Sequence, residues 1–355
     1  MSIIFAILLF SFLIFIHELG HFLAAKASGV QVNEFSMFMG PAIFKKQIGE
    51  TLYSIRCIPL GGYCAMEGED NDTDNPRSFQ KAAWWKRLII LAAGSFMNLV
   101  TGILLFAIFF STVYPQYPIP TIDFFSECST AQGEGKLQPG DEILSIDGEK
   151  LYVLNDFNLI LGINGDRDTH HVIVKRNGEE LDLGQIVLEP HECKDEKGNP
   201  ITHYGISFLA EEKNVWSTIK YTWLNTVDTI RTVRLSLQML FTGQASVSDI
   251  SGPVGIVDIM TQTANASGSI GAAILNLLNF GGYIAVNLAV MNLLPIPALD
   301  GGRIVALLVT SVIEGVTKKK IDPKYEGYIH GAFMILLFGL MILIIFKDVF
   351  TIVTR

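Results

Sequence analysis

His17-Glu18-Leu19-Gly20-His21 interrupts an otherwise apolar run over residues 3–25, and the reading of that run decides the rest of the chain. A helix rises 1.5 Å per residue, so about 20 apolar residues suffice to cross a bilayer. On such a helix, residues four apart share one face, which sets both imidazoles side by side with Glu18 next to them. Ionisable groups are expensive in hydrocarbon and normally serve a function there. Two imidazoles at this spacing can bind one metal ion, and the carboxylate beside them can act as a general base. The H-E-x-x-H pattern therefore suits a metalloprotease. The plainer reading is a helix end dipping into the interface with hydrogen-bonded histidines, but it gives no reason for a carboxylate and two imidazoles in one turn. A cleaved signal peptide would use Ala25-Lys26-Ala27 as its cleavage site. The run, however, has no positive charge ahead of it and is broken by His17, Glu18 and His21.

Three further apolar segments follow: residues 88–113, a stretch from 272 past 294, and residues 328–346. The 355 residues are 50% hydrophobic and only 17% charged, against about a quarter charged in an average soluble domain. A membrane protein with a soluble insert is expected. Positive charge orients it. Lys26, Lys45, Lys46, Arg56, Arg77, Lys81, Lys86 and Arg87 crowd the first polar loop, and Lys318, Lys319, Lys320 and Lys324 precede the last span. Both loops should be cytoplasmic, which puts both termini and the middle region outside. Most of the excess acid behind the net charge of −9 lies in that middle region and argues against a nucleic-acid partner.

Within the middle region, Asp147-Gly148 and Asn177-Gly178 follow short β-like runs, which is hairpin punctuation in a small strand-rich domain. From 216 to 240 the pattern turns helical, with Lys220, Asp228, Arg231 and Arg234 opposing a span. An amphipathic helix on the bilayer or against the bundle is expected.

Zinc in a catalytic site takes a third protein ligand. The later apolar segment reads Asn292-Leu293-Leu294-Pro295-Ile296-Pro297-Ala298-Leu299-Asp300-Gly301-Gly302, and its prolines and glycines break a helix. Broken backbone at membrane depth is tolerated where it is buried in protein or lines a wet cavity. Asp300 either closes the metal site from a second helix or caps the helix resuming at Gly301. Spans one and three run the same way, so both motifs lie toward their cytoplasmic ends, which favours the ligand.

Together with Ser251-Gly252-Pro253-Val254-Gly255-Ile256, these two motifs resemble bacterial site-2 proteases, intramembrane zinc metalloproteases, and the likeness extends over nearly the whole chain. Leu137-Gln138-Pro139-Gly140-Asp141-Glu142-Ile143-Leu144 looks like part of a PDZ domain, as in the single-PDZ members. The resemblance implies Zn2+ held by His17, His21 and Asp300, with Glu18 as catalytic base and Asn292 assisting near the reacting carbonyl or the substrate strand. Ile58-Pro59-Leu60-Gly61-Gly62-Tyr63 resembles the family's cytoplasmic-side hairpin, which implies that Gly61, Gly62 and Tyr63 guide substrate. Asn98 in Gly94-Ser95-Phe96-Met97-Asn98 matches a family asparagine that serves substrate or simply bridges two helices. The family commonly has proline where this chain has Ser95, which leaves the local helix shape open.

The expected fold is thus a membrane α-helical protein with four transmembrane helices, a re-entrant β-hairpin and an inserted extracytoplasmic PDZ-like α/β domain. Its parts are 1–115 (two spans and the hairpin), 116–212 (the PDZ-like domain), 213–271 (amphipathic helix and GPVGI linker) and 272–355 (two spans). The expected location is a bacterial cytoplasmic membrane. The implied partners are the lipid bilayer and single-pass membrane proteins already trimmed by another protease, such as anti-sigma factors or remnant signal peptides. A zinc transporter would need ligands at several depths, and one cluster is found. A PDZ scaffold would not need Glu18. Cys57 and Cys64 flank the Gly61-Gly62 hairpin and are expected reduced, whereas Cys128 and Cys193 outside are either paired or free. His330, at the start of the last span, is expected at the interface.

Overall fold

The computed structural model describes every residue except 1, 70–72, 127–128, 130, 134, 164–166, 195–199, 245–250, 319–323 and 355. Among the described residues, four helices are long and apolar enough to cross a membrane. They are α1 (Ser2–Ser28), α2 (Trp84–Val113), α6 (Ile270–Asn292) and α8 (Lys324–Val353). The other elements are β1 (Val32–Ile48), β2 (Thr51–Met66), a 3-10 turn Phe79–Lys81, β3 (Gln116–Phe125), β4 (Glu142–Ile146), β5 (Glu149–Lys150), α3 (Asn155–Ile163), β6 (Thr169–Arg176), β7 (Glu179–Val187), β8 (His191–Lys194), β9 (Pro200–His203), β10 (Ile206–Glu212), α4 (Val215–Thr242), α5 (Pro253–Ala266) and α7 (Asp300–Thr317). The chain divides into two compact units, Met1–Phe109 with Thr232–Arg355, and Phe110–Arg231.

In the first unit, α1 and α2 cross in close contact. A β-carbon at Gly20 would run into the carbonyl of Ala93 and lie 2.9 Å from Met97 Cγ, so the small residue sets the distance between the two helices. This packing brings the His17–His21 face of α1 against α2. Leu9 and Leu13 of α1 pack with Met260 of α5 and with Leu277, Ile284 and Ala285 of α6. α6 ends at Asn292, short of the expected stretch past Leu294, because Pro295 and Pro297 cannot continue the ladder. Ser95, where the family commonly has proline, leaves α2 unbroken.

β1 and β2 make more than the expected simple hairpin. Glu34, Phe35, Ser36 and Met37 are flanked on one side by Ala65, Cys64, Tyr63 and Gly62, and on the other by Leu52, Tyr53, Ser54 and Ile55. The chain curls because Phe38 (φ 71°) and Gly40 (φ 84°) take left-handed conformations. Arg56 fixes the curl by donating to the Gly40 carbonyl (2.6 Å), Glu34 Oε1 (2.8 Å) and Tyr63 Oη (2.5 Å). Residues 62–66 thus form an outer strand. Met39, Ile43, Phe44, Ile48, Ile55 and Ile58 are exposed.

The second unit holds a sheet of order β10-β3-β4-β6-β7, with β5 paired to β4. Its core includes Ile122, Leu137, Ile143, Ile146, Phe157, Ile160, Val172 and Val174. Asp147-Gly148 (φ 50°, 81°) and Asn177-Gly178 (φ 52°, 88°) close the β4–β5 and β6–β7 hairpins, the two positive φ values being those of a type I′ turn. In this unit α4 is amphipathic in an inverted sense. Ser217, Thr222, Asn225, Thr226, Asp228 and Arg231 are buried, while Val215, Trp216, Ile219 and Trp223 are exposed. Arg231 Nη2 meets Asp156 Oδ1 at 2.6 Å and Asp228 Oδ1 at 2.5 Å. The side chains of Cys128 and Cys193, and with them the pairing question, lie outside the described residues.

Candidate metal centre

Three of the residues singled out in the sequence meet, although 279 positions separate His21 from Asp300. His17 Nε2 and His21 Nε2 are 3.1 Å apart, and Asp300 Oδ2 lies 3.1 Å and 3.3 Å from them. Corners of a tetrahedron centred about 2.0 Å from each donor are about 3.3 Å apart, the spacing zinc imposes. His21 Nδ1 donates to the carbonyl of Ile90 (2.8 Å), which leaves the Nε2 lone pair turned toward Asp300. Two imine nitrogens and a carboxylate oxygen then point their lone pairs at one another, which is repulsive unless a cation sits between them. Asp300 Oδ2 is buried without a hydrogen-bond donor of its own. Gly94 keeps the opposite wall open: a β-carbon there would lie 2.5 Å from His21 Nε2 and 2.8 Å from His17 Nε2. The donor set and its spacing fit a zinc ion.

The residues between α6 and α7 explain how Asp300 reaches this position. Gly301 faces the carbonyls of Leu293 and Leu294, and Gly302 faces that of Ile296, each closer than a β-carbon allows. The loop 293–299 is therefore folded onto the first turn of α7. Ala298 is left-handed at φ 84°, a conformation costing a residue with a β-carbon about 1–3 kcal/mol. Its N–H donates to His330 Nδ1 (2.8 Å) on α8.

Beside the donors lies a cavity of about 520 Å³, walled by His17, Glu18, His21, Tyr63, Cys64 and Asp300 among others. Gly62 packs against Glu18, whose Cγ would be 3.4 Å from a β-carbon at that position. Gly61, left-handed at φ 79°, turns the chain into the outer strand. Asn98 does not line this cavity. It is buried, with its amide nitrogen 3.3 Å from His17 Nδ1, and Asn292 lies 3.5 Å from the same atom. With His17 Nε2 facing Asp300, Nδ1 carries the proton. The Asn98 amide then fits with its oxygen toward the ring, which also gives the buried Oδ1 a partner. Asn98 thus touches His17 rather than the space where substrate would enter.

Two groups at the site, Arg303 and Glu69, had no assigned place in the sequence reading. Arg303, one turn beyond Asp300, pairs with Glu69, and both line the cavity. Their signal was one arginine just after the Gly301-Gly302 pair and one glutamate within the acidic run Glu67-Gly68-Glu69-Asp70, too common a pattern to single out. His330, expected at the interface, is buried. Cys57 is exposed and Cys64 buried, both as free thiols.

Comparison with known proteins gives the family. The model of peptidase family M50 matches residues 5–340. A Clostridium acetobutylicum protein provisionally named a zinc metalloprotease is 38% identical over 98% of this chain and 97% of its own length. The regulator of sigma-W protease RasP of Bacillus subtilis is 28% identical over 98% of each chain. The zinc metalloprotease RasP of Oceanobacillus iheyensis is 29% identical over 97% of each. The protein is a zinc metalloprotease with membrane-spanning helices, and its chain belongs to peptidase family M50, the site-2 proteases.

Proposed function

We propose that this chain hydrolyses peptide bonds within or beside the transmembrane segments of other membrane proteins. One observation carries the reading: His17 and His21 of α1, a helix apolar enough for a bilayer, meet Asp300 of α7 at the wall of a cavity that also holds Glu18. His17, His21 and Asp300 hold the metal, and Asn98 orients the His17 ring. Zinc bound there would supply Lewis-acid activation of water and of the scissile carbonyl. The Glu18 carboxylate would serve as the proton carrier, accepting a proton during attack and returning it to the departing amine. Asn292, on the last turn of α6 with its amide 3.5 Å from His17 Nδ1, takes the role the family resemblance implies, donating to the developing oxyanion or to the substrate strand.

A substrate helix keeps its carbonyls in i to i+4 hydrogen bonds and must unwind before attack. The outer strand at residues 62–66 runs along the cavity wall and receives the unwound segment by strand addition, with Gly61, Gly62 and Tyr63 at the point of entry. The exposed apolar side chains of β1 and β2 support placing this curled sheet in the bilayer from the cytoplasmic side. The exposed stripe Val215, Trp216, Ile219 and Trp223 supports seating α4 at the outer membrane interface.

With four spans, the termini and the domain 116–212 lie outside the bacterial cytoplasmic membrane. That domain is PDZ-like and filters substrates that another protease has not yet trimmed. Single-pass anti-sigma factors and remnant signal peptides are the substrate classes, and the sigma-W relative favours the first.

The deciding experiment pairs metal analysis with cleavage of a model transmembrane substrate, on the wild-type chain, Glu18→Gln and Asp300→Ala. Glu18→Gln should keep zinc and lose cleavage, while Asp300→Ala should lose both. Cleavage retained by Glu18→Gln would defeat the mechanism. A substrate helix containing Gly or Asn should be cut faster than a poly-leucine one.

A further inference from the structure

α8 is the most apolar of the four long helices, and only 6% of its most apolar stretch is buried. Among its described residues the buried ones are His330 and Asp348, both polar. Each meets backbone N–H groups of a distant motif. Asp348 Oδ2 accepts from Gly252 (2.9 Å) and Gly255 (2.8 Å), where α5 begins. His330 Nδ1 accepts from Ala298 (2.8 Å), two residues before Asp300. The second contact matters more for chemistry, because Ala298 is the left-handed residue from which the chain enters α7.

An alanine holds φ near 84° only where its surroundings over-determine it. On one side the over-determination comes from Gly301 and Gly302, which let the 293–299 carbonyls approach α7. On the other it comes from His330. A half-buried N–H left without its acceptor is costly, so the loop would rearrange to satisfy it. Any rearrangement at Ala298 swings Asp300, whose Oδ2 lies only 3.1 Å and 3.3 Å from the two imidazoles.

We propose that His330 is a positioning residue for the metal site: its Nδ1 lone pair holds the Ala298 turn, and that turn sets the Asp300 carboxylate opposite His17 and His21. The residue must offer an acceptor at the reach of Nδ1, which a neutral imidazole does and a cationic side chain does not. Asparagine offers an amide oxygen at similar reach. The helix that contributes least to the packed interior thereby controls the ligand that arrives last in sequence. This inference rests on Asp300 being a metal ligand.

Zinc affinity of the full-length chain in detergent micelles, read by competition with a chromophoric chelator, tests it without relying on activity. Removing an outer partner of a metal ligand typically costs 10–100-fold in affinity. His330→Leu should therefore weaken zinc binding by about tenfold or more, and His330→Asn should retain it. A role confined to packing α8 would be lost alike in His330→Leu and His330→Asn, whereas an acceptor role is kept by the asparagine. Wild-type affinity in His330→Leu overturns the proposal. So does equal loss in His330→Asn. Asp300→Ala, measured alongside, separates the two failures. Wild-type affinity there removes the ligand assignment itself, whereas a weak Asp300→Ala beside an unaffected His330→Leu removes only the positioning role.

Discussion

In the first compact unit, His17, His21 and Asp300 turn two imidazole nitrogens and a carboxylate oxygen toward one another at 3.1 to 3.3 Å. In the second, Asp156 and Asp228 turn carboxylate oxygens toward the guanidinium of Arg231 at 2.6 Å and 2.5 Å. Both clusters are buried, and both join residues distant in the chain. They differ in where the positive charge comes from. The second carries its own cation, further held by the Lys150 carbonyl and the Tyr152 ring. The first is made of acceptors and needs a cation from outside. Burial of polar groups therefore does not identify a functional site. A set of converging lone pairs does.

The largest test of that contrast removes a member of each cluster. His17→Ala or Asp300→Ala should strip zinc and cleavage together while the second unit stays folded. Glu18→Gln should lose about 10²–10⁴-fold in turnover, the usual worth of a general base, and keep its metal. Arg231→Met should do the reverse. Leaving the buried Asp156–Asp228 pair without its cation costs about 3–5 kcal/mol, read as a lower unfolding temperature in detergent, with zinc content unchanged. Zinc loss in Arg231→Met, or a matching drop in the second unit's stability on chelation, would erase the distinction.

A smaller effect tests whether the space between the acceptors is needed. The Gly94→Ala methyl would lie against both imidazoles. Zinc affinity should fall by about tenfold or more, the range seen when a ligand's surroundings are disturbed. Chelator competition on the purified chain would show it, and an unchanged affinity would mean that the rings shift freely.

The two clusters also differ in how far the sequence revealed them. His17-Glu18-x-x-His21 was legible because ionisable residues inside an apolar run have few structural reasons to be there. Asp300 was legible because two prolines and two glycines marked broken backbone at that depth. Ile90 was not, since it acts through its carbonyl and any residue there carries one. Gly94 is one small residue in a span, and its use emerges only from the ring it faces. Asp156, Asp228 and Arg231 were individually visible, and α4 is not among the four helices apolar enough to cross a membrane. That those charges face inward, with Trp216, Ile219 and Trp223 outward, depends on tertiary packing. The curl of β1 and β2 was hidden for a related reason: Phe38 takes a left-handed φ that no local pattern announces.

The smallest expected effect refines the comparison. One guanidinium faces two carboxylates in the second unit, so one negative charge is left over. Burial, then the neighbouring Asp156, hold the Asp228 carboxyl well above the usual carboxylate range. The folded chain thus keeps a proton that the unfolded chain releases. Stability from this group is full below the ordinary carboxylate range and declines as the pH rises through the raised folded value, by at most about 1.4 kcal/mol per pH unit. Asp228→Asn keeps an acceptor for Arg231 and removes the titration. It should flatten the pH dependence and gain stability on the alkaline side. Protection factors of the Tyr152 and Val153 amides, which donate to Asp156 Oδ2 at 2.5 Å and 3.0 Å, report the cluster locally. An equal slope in wild type and Asp228→Asn would mean that Arg231 alone neutralises both carboxylates. A flattened slope would mean that this cluster too borrows a cation from outside, a proton where the other takes a metal.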